Sequence, residues 1–119
     1  MAGRLFAIVG PSGAGKDTLI DAARYRLPDL VVTKRVITRP TKAGGEHFEG
    51  VTEAEFDRRR DAGAFAIHWQ AHGLNYGIPA SIRADLEAGK TVIFNGSRAA
   101  LGRAKAQFPA LEVILITAK

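Results

Sequence analysis

The chain has 119 residues, of which 46% are hydrophobic and 24% charged, a composition typical of one globular domain. The absence of cysteine excludes disulfides, thiolate metal sites and a cysteine nucleophile. The net charge of +5 is uneven, with +5 on residues 1–42, −3 on 43–70 and +3 on 71–119. This pattern argues against a nucleic-acid partner and favours a cleft for small phosphorylated molecules. For the net charge alone, a solvated basic surface is the simpler interpretation.

No apolar run approaches the ~18 residues that a membrane span needs, and the apolar stretch near the start is too short for a signal sequence. We therefore expect no membrane association and a cytoplasmic location.

The first third of the chain predicts a strand, a glycine-rich loop and a helix. Residues 4–9 form an apolar run of strand length that ends at Gly10, as expected for a strand buried on both faces of a parallel sheet. From Lys16 onward apolar residues recur at intervals of four until Pro28, which predicts an amphipathic helix of about three turns. Residues 30–38 are rich in β-branched side chains and predict a second strand.

The remaining elements follow from capping signals and short apolar runs. Thr52 and Glu55 form a capping-box signature at the start of a helix predicted over 53–62. In chain order we further predict a loop at 41–50, a strand at 65–70, a turn at 71–79, a helix at 81–88, a strand at 91–94, a helix at 98–107 and a strand at 111–117.

Apolar strands separated by helices favour an α/β fold with a three-layer parallel sheet. We predict a single domain whose core is formed by 1–34 and 81–119, with a small substrate-binding insertion at about 35–80. The last predicted strand has no covering helix or further neighbour in this sequence, so we expect missing elements after it and association through its open edge, as in a homodimer.

Residues 10–16 read GPSGAGK between the first strand and the first helix, which is the context that a phosphate-binding loop requires. Its glycines let the backbone wrap a phosphate, its N–H groups and the helix N-terminus favour an anion, and Lys16 supplies a point charge. The nucleotide-contacting residues are predicted to be Gly10, Pro11, Ser12, Gly13, Ala14, Gly15, Lys16, Asp17 and Thr18. A glycine-rich turn with a surface lysine is the alternative.

The residue after the lysine is Asp17, where this loop pattern has Ser or Thr, and Thr18 follows it. A carboxylate and a hydroxyl are oxygen ligands that suit Mg²⁺, so we assign both residues to the metal side of the site. An acid that merely stabilises the helix N-terminus is an alternative of nearly equal weight for Asp17.

Several motifs together resemble the guanylate-kinase-like group of P-loop kinases. They are GPSGAGK, ITRP at 37–40, GGE at 44–46, TEAEF at 52–56, HGLNYG at 72–77 and AGKTVIFNGSR at 88–98. Within the group they are most similar to the ribose 1,5-bisphosphate phosphokinases of bacterial phosphonate degradation. The acids that read guanine in guanylate kinases are replaced here by Ile67 and Ser97, which argues against a guanine nucleotide as acceptor.

The resemblance implies a transfer of the γ-phosphoryl group of ATP, with Mg²⁺, to ribose 1,5-bisphosphate, which gives 5-phosphoribosyl 1-diphosphate. Its implied catalytic residues are Lys16 and Arg39. Its implied acceptor-binding residues are Arg35, Arg39, Lys42, Tyr76 and Arg98. The attacking phosphate oxygen is already ionised, so no general base is expected. The family's helical lid follows the last predicted strand, and without its arginines we expect this chain to bind nucleotide better than it turns it over.

Two alternatives stay open at this stage: a guanylate-type nucleoside monophosphate kinase, and a non-catalytic nucleotide-binding module. The second usually lacks the loop lysine, which is present here. Other polar residues are expected to be structural, with 58–60 on a solvated helix face and His68 and His72 in loop or core positions. Phe65 and Trp69 are expected in the core.

Overall fold

The computed structural model describes residues 3–11, 15–40 and 48–117, which form two small sheets and four helices. In chain order the elements are β1 (Arg4–Val9), α1 (Lys16–Arg26), β2 (Val31–Val32), β3 (Arg35–Ile37), β4 (Phe48–Gly50), α2 (Glu53–Asp61), β5 (Phe65–Ala71), β6 (Leu74–Pro79), α3 (Ile82–Glu87), β7 (Thr91–Asn95), α4 (Arg98–Gln107) and β8 (Glu112–Leu115).

The first sheet is wholly parallel and has the strand order β2-β7-β1-β8. Its two central strands are β1 and β7, in which Leu5 pairs with Val92 and Ala7 with Phe94. Because all four strands run the same way, the carboxyl ends of β1 and β7 lie side by side at one edge. In parallel α/β sheets this is the edge where ligands bind.

Side chains of the central strands alternate between two apolar layers, so helices cover both faces of the sheet. Ile8 and Ile93 pack with Ile20 of α1 on one face. Ala7 and Phe94 belong to the larger core on the other face, together with the buried side chains of α3 and α4. Helix, sheet and helix therefore form the three layers that the sequence predicted.

The second sheet is mixed, with the order β4-β3-β6-β5. β3 and β4 are parallel, whereas β6 runs antiparallel to both β3 and β5. The β5–β6 hairpin places Trp69 directly opposite Tyr76. Helix α4 of the first sheet's layer packs on β5, where Nη1 of Arg103 lies 3.2 Å from Nδ1 of His68.

Three of the predicted elements were wrong in their extent. The strand predicted at 30–38 is two strands in different sheets: the Thr33 amide donates to the Ile93 carbonyl of the first sheet, while Val36 and Ile37 pair with β6. The turn predicted at 71–79 is mostly the strand β6; its first residue belongs to β5, and only residues 72 and 73 turn. The loop predicted at 41–50 ends in β4, and residues 41–47 lie outside the described residues.

The other predicted helices and strands agree with the structure to within about two residues at each end. The capping box is present, with the hydroxyl of Thr52 accepting a hydrogen bond of 3.1 Å from the Glu55 amide. β8 is the last strand in its sheet's order, and Val113 and Leu115 on it are 40% and 53% exposed. Within the described residues, no helix is both long enough and apolar enough to cross a membrane.

Candidate active site

A cleft of about 700 Å³ opens at the carboxyl ends of β1 and β7, between the start of α1 and the second sheet. The end of the first sheet and the start of α1 contribute one part of its lining, and the second sheet contributes the rest. Its lining, within the described residues, consists of Gly10, Pro11, Gly15, Lys16, Asp17, Thr18, Arg35, Arg39, Trp69, Ala71, His72, Tyr76, Asn95, Gly96 and Ser97.

Two positions of the predicted phosphate loop, Gly10 and Gly15, require a glycine for different reasons. A Cβ on Gly10 would lie 2.5 Å from the carbonyl oxygen of Ile116, so the chain after β8 passes too close for any side chain. Gly15 caps α1 with φ of 94°, a left-handed conformation that favours glycine. Residues 12–14 of the loop lie outside the described residues, and their predicted contacts with the nucleotide stay predictions.

Lys16 begins α1 and is folded back across the loop, where its Nζ donates a hydrogen bond of 2.9 Å to the carbonyl of Gly10. Partial burial, followed by the charge of Arg35, lowers the pKa of Lys16 from its ordinary value. Only the nearby carboxylate of Asp17 opposes these effects. The ammonium group is thus held at the loop in surroundings that favour an additional negative charge.

The second sheet brings two guanidinium groups to the same cleft. Burial lowers the pKa of Arg35, and the neighbouring charge of Arg39 lowers it further. With Lys16 counted, the described lining residues include three cations and one carboxylate, that of Asp17. Like charges gathered in a partly buried cleft repel one another, and a bound phosphate relieves that repulsion. The cleft is therefore an electropositive site suited to polyanions.

Aromatic rings hold both guanidinium groups in place. The Arg39 guanidinium lies 4.5 Å above the ring of Phe48, and that ring is only 2% exposed. The Arg35 guanidinium lies 5.3 Å from the ring centre of Tyr76, which in turn stacks on Trp69 at 5.2 Å with an angle of 5° between the planes. Cation–π contacts of this kind restrict the position of a planar cation.

Asp17 and Thr18, the two residues predicted on the metal side, both line the cleft beside Lys16. They offer one carboxylate and one hydroxyl. This donor set fits Mg²⁺, which commonly takes one or two carboxylates from the protein and completes its octahedron with phosphate oxygens and water. No cluster of three or more His, Cys, Asp or Glu that could hold a metal by itself occurs among residues 3–11, 15–40 and 48–117.

The predicted acceptor residues are only partly brought together. Arg35, Arg39 and Tyr76 line the cleft, whereas Arg98 is exposed at the start of α4 and is not among the lining residues. Lys42 lies outside the described residues. The roles of Arg98 and Lys42 therefore stay predictions.

Sequence reasoning missed several lining residues, chiefly Asn95 at the end of β7, Ser97 two residues later, Trp69 on β5 and His72 in the hairpin turn. A usable signal was the polar NGS tripeptide directly after a buried parallel strand, because such positions face the ligand-binding edge. Trp69 is 4% exposed, as expected of a core residue, yet it also borders the cleft.

Structural roles account for the other charged residues that the sequence singled out. Arg59 is paired with both Glu49 and Glu55, at 2.8 Å and 2.7 Å, and so joins α2 to β4. Arg58 is exposed and paired with Glu55 at 2.7 Å. His68 faces Arg103, and burial, followed by that positive charge, lowers its pKa.

The fold matches that of a known enzyme. A crystal structure of guanylate kinase from Anaplasma phagocytophilum superimposes with a TM-score of 0.78 over 98% of this chain and 60% of that protein, at 18% sequence identity. The predicted α/β P-loop kinase fold is therefore confirmed. Identity at this level establishes the fold alone.

Sequence comparison gives more similar relatives, although no protein-family model matches the chain. The ribose 1,5-bisphosphate phosphokinase of Agrobacterium fabrum is 53% identical over 97% of this chain, and that of Pseudomonas fluorescens is 50% identical over 98%. A bifunctional ribose 1,5-bisphosphokinase-thymidine phosphorylase of Cupriavidus necator is 52% identical over 98%. The chain spans 64%, 63% and 20% of the lengths of these three proteins.

These relatives confirm the resemblance that the motifs indicated. Over nearly its whole length the chain is homologous to the ribose 1,5-bisphosphate phosphokinases, and it has the fold of a guanylate-kinase-like P-loop kinase.

Proposed function

We propose that the protein to which this chain belongs transfers the γ-phosphoryl group of ATP to the 1-phosphate of ribose 1,5-bisphosphate, forming 5-phosphoribosyl 1-diphosphate. The observation that carries the proposal is that Lys16 of the phosphate loop shares one cleft with Arg35 and Arg39 of the second sheet. A donor and an acceptor that are both phosphates need cations on both sides of the transfer. This cleft has them.

In the proposed reaction an oxygen of the acceptor's 1-phosphate attacks the γ-phosphorus of ATP, the bond from that phosphorus to the β,γ-bridging oxygen breaks, and ADP leaves. Because the attacking oxygen is already ionised near pH 7, catalysis consists of alignment and charge neutralisation. Lys16 holds the donor phosphates, and Arg39 and Arg35 hold the acceptor. Mg²⁺ held beside Asp17 and Thr18 would supply further neutralisation of the phosphate oxygens. ATP as donor is consistent with a cytoplasmic reaction.

Phosphate ligands also suit the electrostatic state of the cleft. Burial, followed by repulsion from a neighbouring arginine, lowers the pKa values of Lys16 and Arg35. A bisphosphate and a triphosphate bound together bring enough negative charge to reverse this repulsion. A guanine acceptor fits less well, because reading its N–H groups needs a carboxylate, and the single described one in the lining, Asp17, lies at the donor loop.

The test is a single-turnover assay with the protein in excess over ATP labelled at the γ-phosphate, so that even slow chemistry is visible. Three mixtures contain ribose 1,5-bisphosphate, GMP or no acceptor, and the matched variant is Lys16→Ala. We expect label in 5-phosphoribosyl 1-diphosphate in the first mixture only, and none with the variant. Label in GDP, or label lost to water at the same rate in all three mixtures, would contradict the proposal.

A further inference from the structure

Three polar side-chain atoms at the cleft are buried and have no hydrogen-bond partner within the described part of the chain. They are the indole Nε1 of Trp69, the amide Oδ1 of Asn95 and the hydroxyl oxygen of Ser97. All three residues line the cleft, with Trp69 on β5 of the second sheet and Asn95 and Ser97 at the carboxyl end of β7. Buried polar atoms are almost always paired, so three orphans around one cleft point to a partner that the protein alone does not provide.

The position of Ser97 supports this reading independently. It is the N-cap residue of α4, where a serine side chain ordinarily accepts a hydrogen bond from the helix's first turn. Here the hydroxyl makes no capping bond and remains available for another group. The indole of Trp69 is held in its orientation by the stack on Tyr76 at 5.2 Å, so its N–H has a defined direction.

The chemistry of these groups differs from that of the neighbouring cations. Lys16, Arg35 and Arg39 suit phosphate oxygens, whereas the three orphan groups are neutral. The indole only donates, the amide oxygen only accepts, and the serine hydroxyl does both. A ligand hydroxyl also both donates and accepts, so it complements such a mixed set, while a phosphate dianion cannot donate to the amide oxygen.

We propose that Trp69, Asn95 and Ser97 form a subsite that reads the ring hydroxyls of the acceptor sugar, and so distinguishes ribose from deoxyribose. This rests on the proposed function, because it takes ribose 1,5-bisphosphate as the ligand held by the neighbouring cations. The three atoms are shielded from bulk water, so a ring hydroxyl that reaches them meets little competition from solvent. A sugar lacking that hydroxyl leaves them unpaired, which is how a hydrogen-bonding site rejects it.

The experiment measures calorimetric binding of ribose 1,5-bisphosphate and of its 2-deoxy and 3-deoxy analogues to the wild-type chain, Ser97→Ala and Trp69→Phe. Trp69→Phe keeps a ring to stack on Tyr76. The matched control is Thr33→Val, which removes another buried orphan hydroxyl that does not line the cleft. The wild-type chain should bind ribose 1,5-bisphosphate roughly tenfold more tightly than at least one analogue.

Each cleft variant should reduce that preference roughly fivefold, because it weakens binding of ribose 1,5-bisphosphate more than binding of the deoxy analogue. Thr33→Val should leave the preference unchanged. The subsite is refuted if the wild-type chain binds all three sugars within twofold, or if both cleft variants keep the wild-type preference. If the subsite is refuted but Arg39→Ala weakens binding of all three sugars equally, the proposed function survives without the subsite. If no sugar bisphosphate binds the wild-type chain, both proposals fail.

Discussion

Replacing Arg39 with alanine should weaken binding of ribose 1,5-bisphosphate and leave binding of ATP nearly unchanged. The guanidinium lies over the buried ring of Phe48 at 4.5 Å, so it is held at the cleft on the side of the second sheet. Lys16, the donor-side cation, lies instead at the glycine loop. The two substrates should therefore respond separately to the two cations.

The size of the effect follows from what is lost. A hydrogen bond to a charged group contributes about 1.5–3 kcal/mol, which is roughly a 10- to 150-fold loss of acceptor affinity. Loss of the cation–π contact with Phe48 should also lower the free energy of unfolding by about 1 kcal/mol. Arg39→Lys keeps the charge but not the planar, two-pronged donor, so we expect an intermediate affinity.

The assay can use the intrinsic fluorescence of Trp69, the single tryptophan in the chain, because that residue lines the cleft. Arg58→Ala is the matched control, since it removes an exposed arginine from α2 that pairs with Glu55 and lies outside the cleft lining. An equal loss of affinity in Arg58→Ala, or a loss for ATP as large as for the sugar in Arg39→Ala, would refute the assignment of Arg39 to the acceptor.

Two further predictions concern stability. Gly10→Ala should lower the free energy of unfolding by about 1–3 kcal/mol in urea denaturation, because its Cβ would lie 2.5 Å from a backbone oxygen. Gly102→Ala should instead raise the free energy of unfolding by about 0.5–1 kcal/mol, because Gly102 lies in a helix with open space around it. An equal effect of both changes would contradict this. Burial and Arg103 lower the pKa of His68, so the unfolded chain binds more protons just below pH 6.5. Stability should therefore fall as the pH drops from 7.5 to 5.5, and the fall should be smaller in His68→Gln; identical pH profiles would rule this out.

Local signals were sufficient where one element's sequence determines its structure. The apolar run before Gly10, the spacing that begins at Lys16 and the capping box of Thr52 and Glu55 each predicted an element that the structure contains. Gly15 of the phosphate loop was also predictable from local sequence, because its positive φ is a local backbone conformation that favours glycine.

Long-range pairing explains what local patterns could not predict. The run at 30–38 is rich in β-branched residues on both sides of Lys34 and Arg35, so its local pattern does not show that the chain leaves one sheet for another after Thr33. β6 resembled a turn because it contains Asn75 and Gly77. Gly77 is in fact a strand residue whose missing side chain makes room for the ring of Phe65, a contact across the hairpin.

The same reason limited the prediction of the site. Arg39 and Tyr76 were identified from motifs, and the NGS tripeptide could have indicated Asn95 and Ser97, but their convergence with Trp69 on one cleft is visible only in the folded chain. Burial alone is a poor guide here, since Trp69 belongs to the core and borders the cleft at once.

The central claim is that donor and acceptor phosphates meet in one cleft, and a ligand that joins them tests it most directly. In such a compound a tetraphosphate links adenosine to carbon 1 of ribose 5-phosphate. We expect the chain to bind it at least about 100-fold more tightly than ATP, with affinity lost in both Lys16→Ala and Arg39→Ala. Binding no tighter than that of ATP, and unaffected by Arg39→Ala, would contradict the account.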